Sequence, residues 1–325
     1  MLSNLVILLA LVAVILFVGS LTRRAGRIKR AVLKWPAVLL AGLLTLMVAL
    51  FTLVALVGFY KLYANPGNPV PNLKAAATPE QLAGAERYAH LCMGCHSTTH
   101  DLPLDGAADN FFSTRGPLGT LYPANLTPAG PLKDWSDAEI IRAIREGIDN
   151  SGQPLVVMPS EIFHHLSDSD VQALVAYLRS QPAVQHDTPD DNLNILGVFI
   201  VGAGLLQTSA QSSIAQPVTA PPRAVTFEYG QYLVSITGCQ SCHGADFAGG
   251  TPSKLGPPAG PNLIAIVSQM SPAAFIKEIR TGVDATGHTV DPNEMPYKQI
   301  SAMYDDDQLE AIFTFLHGLP LVTKK

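Results

Sequence analysis

Cys92-Met93-Gly94-Cys95-His96 and Cys239-Gln240-Ser241-Cys242-His243 are two copies of one five-residue pattern, and together they hold all four cysteines of this 325-residue chain. In each copy two thiols stand three residues apart, and a histidine directly follows the second thiol. On a helix this spacing brings the three side chains onto about one turn. Each copy also opens a longer repeat, so the pattern organises the rest of the sequence.

The repeat runs from about Thr78 to Gln181 and again from about Phe227 to Leu321. After the cysteine pattern each copy has an Asn-Leu pair, an Arg-x-Gly-x-Asp-x-x-Gly pattern, a Met-Pro pair and a final segment with apolar residues at helical spacing. The matching landmarks are Asn125 and Asn262, Arg145 and Arg280, and Met158 and Met295. No stretch alternates with period two, so both copies are predicted to be helical with long structured loops.

The cysteine pattern is typical of covalent attachment to a c-type haem, with the histidine as proximal iron ligand. A thioredoxin-like redox pair would need a βαβ context, which the sequence lacks, and a zinc site would need four ligands. Two structural disulfides are a third alternative. We therefore predict two covalently bound haem c groups. Their attachment and proximal-ligand residues are Cys92, Cys95 and His96 in the first copy, and Cys239, Cys242 and His243 in the second.

Met158 and Met295 are the predicted sixth ligands, because a methionine thioether is a common axial ligand of haem iron and the two residues occupy matching positions. Met270 and Met303 in the second copy, and His164 and His165 in the first, are the alternatives. Arg145 and Arg280 are interpreted either as partners of a haem propionate or as solvated helix residues. Tyr88 and Tyr232 are interpreted as packing residues.

The first 61 residues contain seven basic residues and no acidic one, and they include two long apolar runs. Each run, Leu2 to Leu21 and Ala37 to Phe59, is long enough to span a bilayer, which takes about 20 apolar residues. A cleaved signal peptide would carry basic residues before the first run, and none precede it. The basic loop between the runs is expected in the cytoplasm, so both ends of the hairpin would lie outside.

The remainder of the chain holds 14 basic and 26 acidic residues, a balance that disfavours nucleic acid as a partner. Between the repeats, an apolar segment from Leu193 to Leu206 is too short to span a bilayer alone. It is expected to pack between the modules or to lie against the membrane surface. A polar linker follows, from Gln207 to Ala224.

With these motifs, both repeats resemble class I cytochrome c. The second resembles the haem domains of the cytochrome subunits of membrane alcohol and gluconate dehydrogenases, and the layout resembles subunit III of cbb3-type cytochrome c oxidase. The resemblance implies an all-α protein, a transmembrane helical hairpin followed by two class I cytochrome c-like domains. The predicted boundaries are 1–61 for the hairpin, 62–77 for a linker, 78–185 for the first domain, 186–226 for a second linker and 227–325 for the second domain.

The resulting hypothesis is a non-catalytic, multi-pass electron-transfer subunit of a bacterial cytoplasmic membrane, with both haem domains on the periplasmic side. Its expected partners are other subunits of a respiratory or dehydrogenase complex, or a soluble redox protein. The alternative is a dihaem redox enzyme such as a peroxidase or a thiosulfate-oxidising enzyme. That alternative requires an open or differently ligated iron, and no fifth cysteine is present to supply a distal thiolate.

Overall fold

The computed structural model describes residues 1–251, 258–292 and 294–322, and the predicted second domain contains the residues outside these ranges. The described chain is helical, which confirms the all-α prediction. Its one sheet consists of two short antiparallel strands, β1 (Gly119–Thr120) and β2 (Asn192–Leu193).

Two long helices begin the chain, α1 (Leu2–Ala25) and α2 (Ala31–Tyr63), and they pack side by side as a hairpin. Both are long and apolar enough to cross a membrane, and little of either is buried inside the protein. A core helix of a soluble protein would instead be mostly buried. The large exposed apolar side chains of the hairpin therefore need a cover that the described rest of the chain does not provide.

The apolar segment between the repeats forms a short helix, α7 (Ile195–Gly202), which packs along α2. The expectation that this segment packs between the two modules is therefore wrong. Two glycines permit the close approach: a Cβ atom on Gly58 would lie 1.9 Å from the Val198 carbonyl oxygen, and one on Gly202 would lie 1.9 Å from that of Val54. The rings of Phe51 and Phe199 stack with their centroids 4.6 Å apart.

The first repeat folds into a helical module whose helices begin at strong N-terminal caps. Thr78 and Ser136 each form a capping box, in which two backbone N–H groups at the helix start are satisfied reciprocally. The elements of the module are α3 (Pro79–His96), a 3₁₀ turn (Pro131–Asp134), α4 (Asp137–Glu146), α5 (Ser160–Phe163) and α6 (Asp168–Ser180).

The second repeat folds in the same order, with one difference at its attachment segment. Where α3 is continuous, the corresponding helix is divided at Gly238, which adopts a left-handed conformation with φ 80°. The elements are α8 (Phe227–Thr237), α9 (Cys239–His243), α10 (Leu263–Val267), α11 (Pro272–Thr281), α12 (Tyr297–Met303) and α13 (Asp306–Gly318).

The two modules pack against each other in a reciprocal way and share one hydrophobic core. The short helix after the first Met-Pro pair, α5, packs on α8, while its counterpart α12 packs on α3. Ile162 of α5 lies against Gly238, where a Cβ atom would be 2.4 Å from the Ile162 Cδ1. The helix that follows each Met-Pro pair therefore contacts the attachment helix of the other module.

A polar network crosses this interface. The Tyr232 hydroxyl donates to Asp170 of the first module and accepts from the backbone N–H of Ser167 at 3.1 Å. The hydroxyl of Tyr88 accepts from the Arg87 guanidinium, also at 3.1 Å. The sequence predicts both tyrosines to be packing residues. The structure adds a hydrogen-bonding role for each hydroxyl, across the interface for Tyr232 and within α3 for Tyr88.

Candidate haem sites

The first attachment site lies on the last two turns of α3, which ends at His96. Cys92 is 9% exposed and Cys95 is exposed. The capping box at Thr78 fixes the start of this helix, so the three motif residues lie on a rigid element. The second site is the short helix α9, which begins at Cys239 and ends at His243.

Each motif histidine is held by the same kind of hydrogen bond. The Nδ1 atom of His96 lies 2.7 Å from the Ala124 carbonyl oxygen, and the Nδ1 atom of His243 lies 2.8 Å from that of Pro261. A carbonyl can only accept, so Nδ1 carries the proton and Nε2 keeps its lone pair. A histidine that binds a metal through one nitrogen is commonly oriented through the other in this manner.

The accepting carbonyl directly precedes the Asn-Leu pair in both copies, which explains why the asparagine recurs. The Asn125 amide donates to the carbonyl oxygen of Val184 at 2.8 Å, and the Asn262 amide donates to that of Val322 at 3.0 Å. Each asparagine thereby ties the histidine loop to the chain that leaves the last helix of its module.

Burial shifts the pKa values of the motif residues. It lowers the pKa of His96 and of His243, against an opposing contribution from their carbonyl partners, and so favours the neutral imidazole that binds iron. Burial also raises the pKa of Cys92 and of Cys239 to about 12. Both thiols are therefore protonated at neutral pH until they react.

A cavity of about 460 Å³ opens beside the first attachment site. Cys92, Cys95, His96 and Met158 all contribute to its wall, and most of the remaining lining is apolar. A volume of this order is typical of cofactor pockets. The cavity, its apolar lining and the free Nε2 of His96 fit a haem attached through the two cysteines.

Both Met-Pro pairs have the same tight backbone conformation. The backbone N–H of Ser160 donates to the Met158 carbonyl at 2.8 Å, and that of Tyr297 donates to the Met295 carbonyl at 2.7 Å. Each is an i to i+2 bond across a proline with ψ 55°, the geometry of an inverse γ-turn. His164 and His165, the alternatives to Met158, do not line the cavity.

Matches to protein-family models coincide with the two modules. Residues 79–178 match the family described as cytochrome C oxidase, cbb3-type, subunit III, and residues 227–320 match the family described as cytochrome c. Both modules are cytochrome c domains. Haem c is the cofactor that such domains bind, in keeping with the geometry of the first site.

Curated relatives include subunits of dehydrogenases, several of them cytochromes. The cytochrome c subunit of alcohol dehydrogenase (quinone) from Gluconobacter oxydans is 27% identical over 47% of this chain and 32% of its own length. The fructose dehydrogenase cytochrome subunit from Gluconobacter japonicus is 23% identical over 83% of this chain and 58% of its own length. A subunit of nicotinate dehydrogenase from Pseudomonas putida is 36% identical over 47% of this chain and 13% of its own length. The chain thus spans less than two thirds of each of these relatives.

The Arg-x-Gly-x-Asp-x-x-Gly pattern shapes the loop that carries each methionine. Gly147 and Gly282 end α4 and α11 in the left-handed conformation, with φ 65° and 68°. The Asp149 carboxylate accepts from the backbone N–H of Gln153, and the Asp284 carboxylate accepts from that of His288. The pattern is therefore structural in both cytochrome c domains.

The two arginines of that pattern form ion pairs with the first residue of the last helix in their own domains. Arg145 contacts Asp168 and Arg280 contacts Asp306, both at 2.7 Å. Neither arginine lines the cavity of the first site. The structure thus gives both residues carboxylate partners within the protein.

Part of the wall of the first cavity could not be predicted from the motifs. Leu62 and Tyr63, at the end of α2, and Leu193, on β2, line the cavity together with the motif residues. They lie far from the motif along the chain and belong to no repeat, so only the three-dimensional packing identifies them. The first cytochrome c domain therefore uses the hairpin as one side of its pocket.

Proposed function

We propose that this protein is a membrane-anchored dihaem cytochrome c that transfers electrons between partner proteins as a subunit of a dehydrogenase complex. The observation that carries the proposal is the doubled attachment site, with its proximal imidazole oriented by a carbonyl in both domains. The curated cytochrome subunits of dehydrogenases among its relatives support the same role.

In this proposal Cys92 and Cys95 hold one haem and Cys239 and Cys242 hold the other. His96 and His243 are the proximal ligands, and Met158 and Met295 are the distal ones. Haem c, when bound, supplies a one-electron iron couple whose potential a methionine ligand raises. The protein orients each imidazole, presents each thioether from a rigid γ-turn and excludes water from the first pocket with apolar side chains.

The packing of the two domains supports transfer of electrons within one chain. The helix that follows each methionine loop lies on the attachment helix of the other domain, with Ile162 directly beside the residue that precedes Cys239. The two sites are thus joined by packed protein, with a shared hydrophobic core between them. A relay between two partners needs such a fixed arrangement, because electron transfer is sensitive to distance.

We further propose that α1 and α2 span the bacterial cytoplasmic membrane, with the basic connection between them in the cytoplasm and both cytochrome c domains on the periplasmic side. The exposed apolar faces of both helices support this placement. The excess of Lys and Arg around residues 23–34 supports the orientation, because such residues are retained on the cytoplasmic side.

The first test is spectroscopy of the purified holoprotein. We expect two haem c per chain and a low-spin ferric spectrum with the near-infrared band of methionine ligation for both haems. Conversion of Met158→His or Met295→His should retain the haem while lowering its reduction potential. A high-spin ferric signal from either haem would contradict a pure electron-transfer role and favour the enzyme alternative.

The second test identifies the complex. Native membranes would be extracted in mild detergent, separated on a native gel, stained for haem and analysed by mass spectrometry. A co-migrating dehydrogenase subunit that carries a flavin, quinone or molybdenum cofactor is the expected result. Co-migration with copper-haem oxidase subunits, or migration of the chain alone, would contradict the assignment to a dehydrogenase.

A further inference from the structure

The apolar segment around α7 belongs neither to the hairpin nor to the repeated part of either cytochrome c domain. From Ile195 to Leu206 the sequence contains no charged residue and no polar side chain. It exposes apolar surface at both ends of α7: Leu205, in the turn after the helix, is 61% exposed, and Leu196, in its first turn, is 38% exposed. A water-facing loop of this length would ordinarily be polar, so the composition needs a physical reason.

The contacts of α7 with α2 fix how far it reaches along the hairpin. Val198 lies against Gly58 and Gly202 lies against Val54, so α7 runs antiparallel to α2. The Phe199 ring stacks on the ring of Phe51. Phe51 precedes Phe59, the outer end of the apolar run, by eight residues, which corresponds to about 12 Å at about 1.5 Å per residue. Because the hydrocarbon core of a bilayer is about 30 Å thick, this depth is about two fifths of it.

The backbone N–H groups of the tip are satisfied within the segment itself. The N–H groups of Ala203, Gly204, Leu205 and Leu206 all donate to carbonyl oxygens of residues 199–201, at 2.8 to 3.4 Å. In hydrocarbon no water is present to satisfy such groups, so the pairing of these four N–H groups lowers the cost of immersing the turn.

The entry to the segment is satisfied in the same way. The Asn194 side chain accepts from the N–H groups of Leu196 and Gly197 at the start of α7. Asn4 of α1, a polar residue that is 1% exposed, donates to the Leu193 carbonyl at 2.7 Å. Each of these polar groups is thus paired where the segment enters the apolar zone.

We propose that residues 193–206 form a re-entrant loop that enters the bilayer beside α2, with the Leu205 tip in contact with lipid acyl chains, and leaves again on the same side. This inference rests on the proposed membrane anchoring of α1 and α2. The loop adds a third immersed element to the hairpin and holds the first cytochrome c domain at a fixed height on the membrane.

The test places single cysteines in the full-length holoprotein, reconstituted without partners in lipid nanodiscs, where both faces of the bilayer are accessible. Leu205→Cys reports the tip. Leu50→Cys, on an exposed face of α2 at a similar depth, reports the span, and Gln185→Cys, in an exposed loop, reports water. A charged, membrane-impermeant maleimide is the probe, and intact-mass spectrometry measures the labelled fraction over time. Labelling in SDS verifies that each new thiol is free.

We expect the thiols at positions 205 and 50 to react more than about tenfold more slowly than the thiol at 185, because hydrocarbon suppresses the thiolate. Reaction at 205 as fast as at 185, with 50 protected, would overturn the re-entrant loop and leave the anchor intact. Rapid reaction at 50 would refute the anchor itself and with it this inference. Ala203→Cys, exposed in the same turn, serves as a second reporter if the Leu205 variant does not accumulate.

Discussion

The two cytochrome c domains are built from one repeat, yet among the residues that the structure describes only those of the first form a core with the hairpin. In both, the loop after the attachment site is closed by equivalent backbone bonds, Ala107 N–H to Pro123 carbonyl and Gly250 N–H to Gly260 carbonyl. Between these closures the first loop is six residues longer. Its apolar residues, including Phe112 and Leu118, join a separate core with Leu62 of α2 and Val198 of α7. The six additional residues thus lie in the loop through which the first domain packs on α2 and α7.

The largest expected effect is loss of one cofactor. The double variants Cys92→Ala/Cys95→Ala and Cys239→Ala/Cys242→Ala should each reduce the covalent haem content from two to one per chain, because the sites do not share attachment residues. Pyridine haemochrome assay and intact-mass spectrometry measure the content. Loss of both haems from either variant would show that the domains do not mature independently and would break the comparison.

The matching ion pairs provide a second contrast. Arg145 is 3% exposed and Arg280 is 30% exposed at the side chain. Asp168→Asn leaves a buried guanidinium without its charged partner, which should lower the free energy of unfolding by about 3 kcal/mol. Asp306→Asn breaks a more exposed pair and should cost less than about 1 kcal/mol. Chemical denaturation followed by circular dichroism measures both, and equal losses would contradict the difference in burial.

A third contrast compares two glycines of α2, one at the contact with α7 and one away from it. Gly58→Ala forces a methyl group into the Val198 carbonyl and should weaken the packing of α7 by about 1–3 kcal/mol. Hydrogen exchange of the α7 amides should accelerate by at least about fivefold, since 1.4 kcal/mol corresponds to a factor of about ten. Gly42→Ala, where no atom lies within 4 Å of the added carbon, is the matched control and should leave exchange in α7 unchanged.

The smallest expected effect concerns the contact between the domains. Tyr232→Phe removes the hydroxyl that joins Asp170 to the second domain and should weaken the interface by about 1 kcal/mol. Tyr229→Phe removes a bond to Gln308 within the second domain and is the control. Limited proteolysis of the linker should accelerate only in the Tyr232 variant. Equal acceleration in both variants would indicate a general loss of stability.

Much of the architecture could be predicted because the repeat presents each local signal twice. The αL glycines at Gly147 and Gly282 end equivalent helices, and both cysteine motifs lie at helix ends, as local sequence rules indicate. The contacts of α7 could not be predicted. Gly58 and Gly202 each resemble an ordinary helix glycine, and their pairing depends on two backbones meeting across more than 140 residues. Tyr63 in the pocket wall and Tyr232 at the interface are likewise determined by tertiary packing.

The contact between α2 and α7 also determines how the first cytochrome c domain is connected. The chain enters the domain after Tyr63 and returns to the hairpin at Ile195, and these two points share one small core. The first domain is thus inserted between two helices that contact each other, and the chain enters and leaves it at neighbouring points. The α2–α7 pair therefore holds the first cytochrome c domain on the hairpin by both of its ends, and not by a single tether.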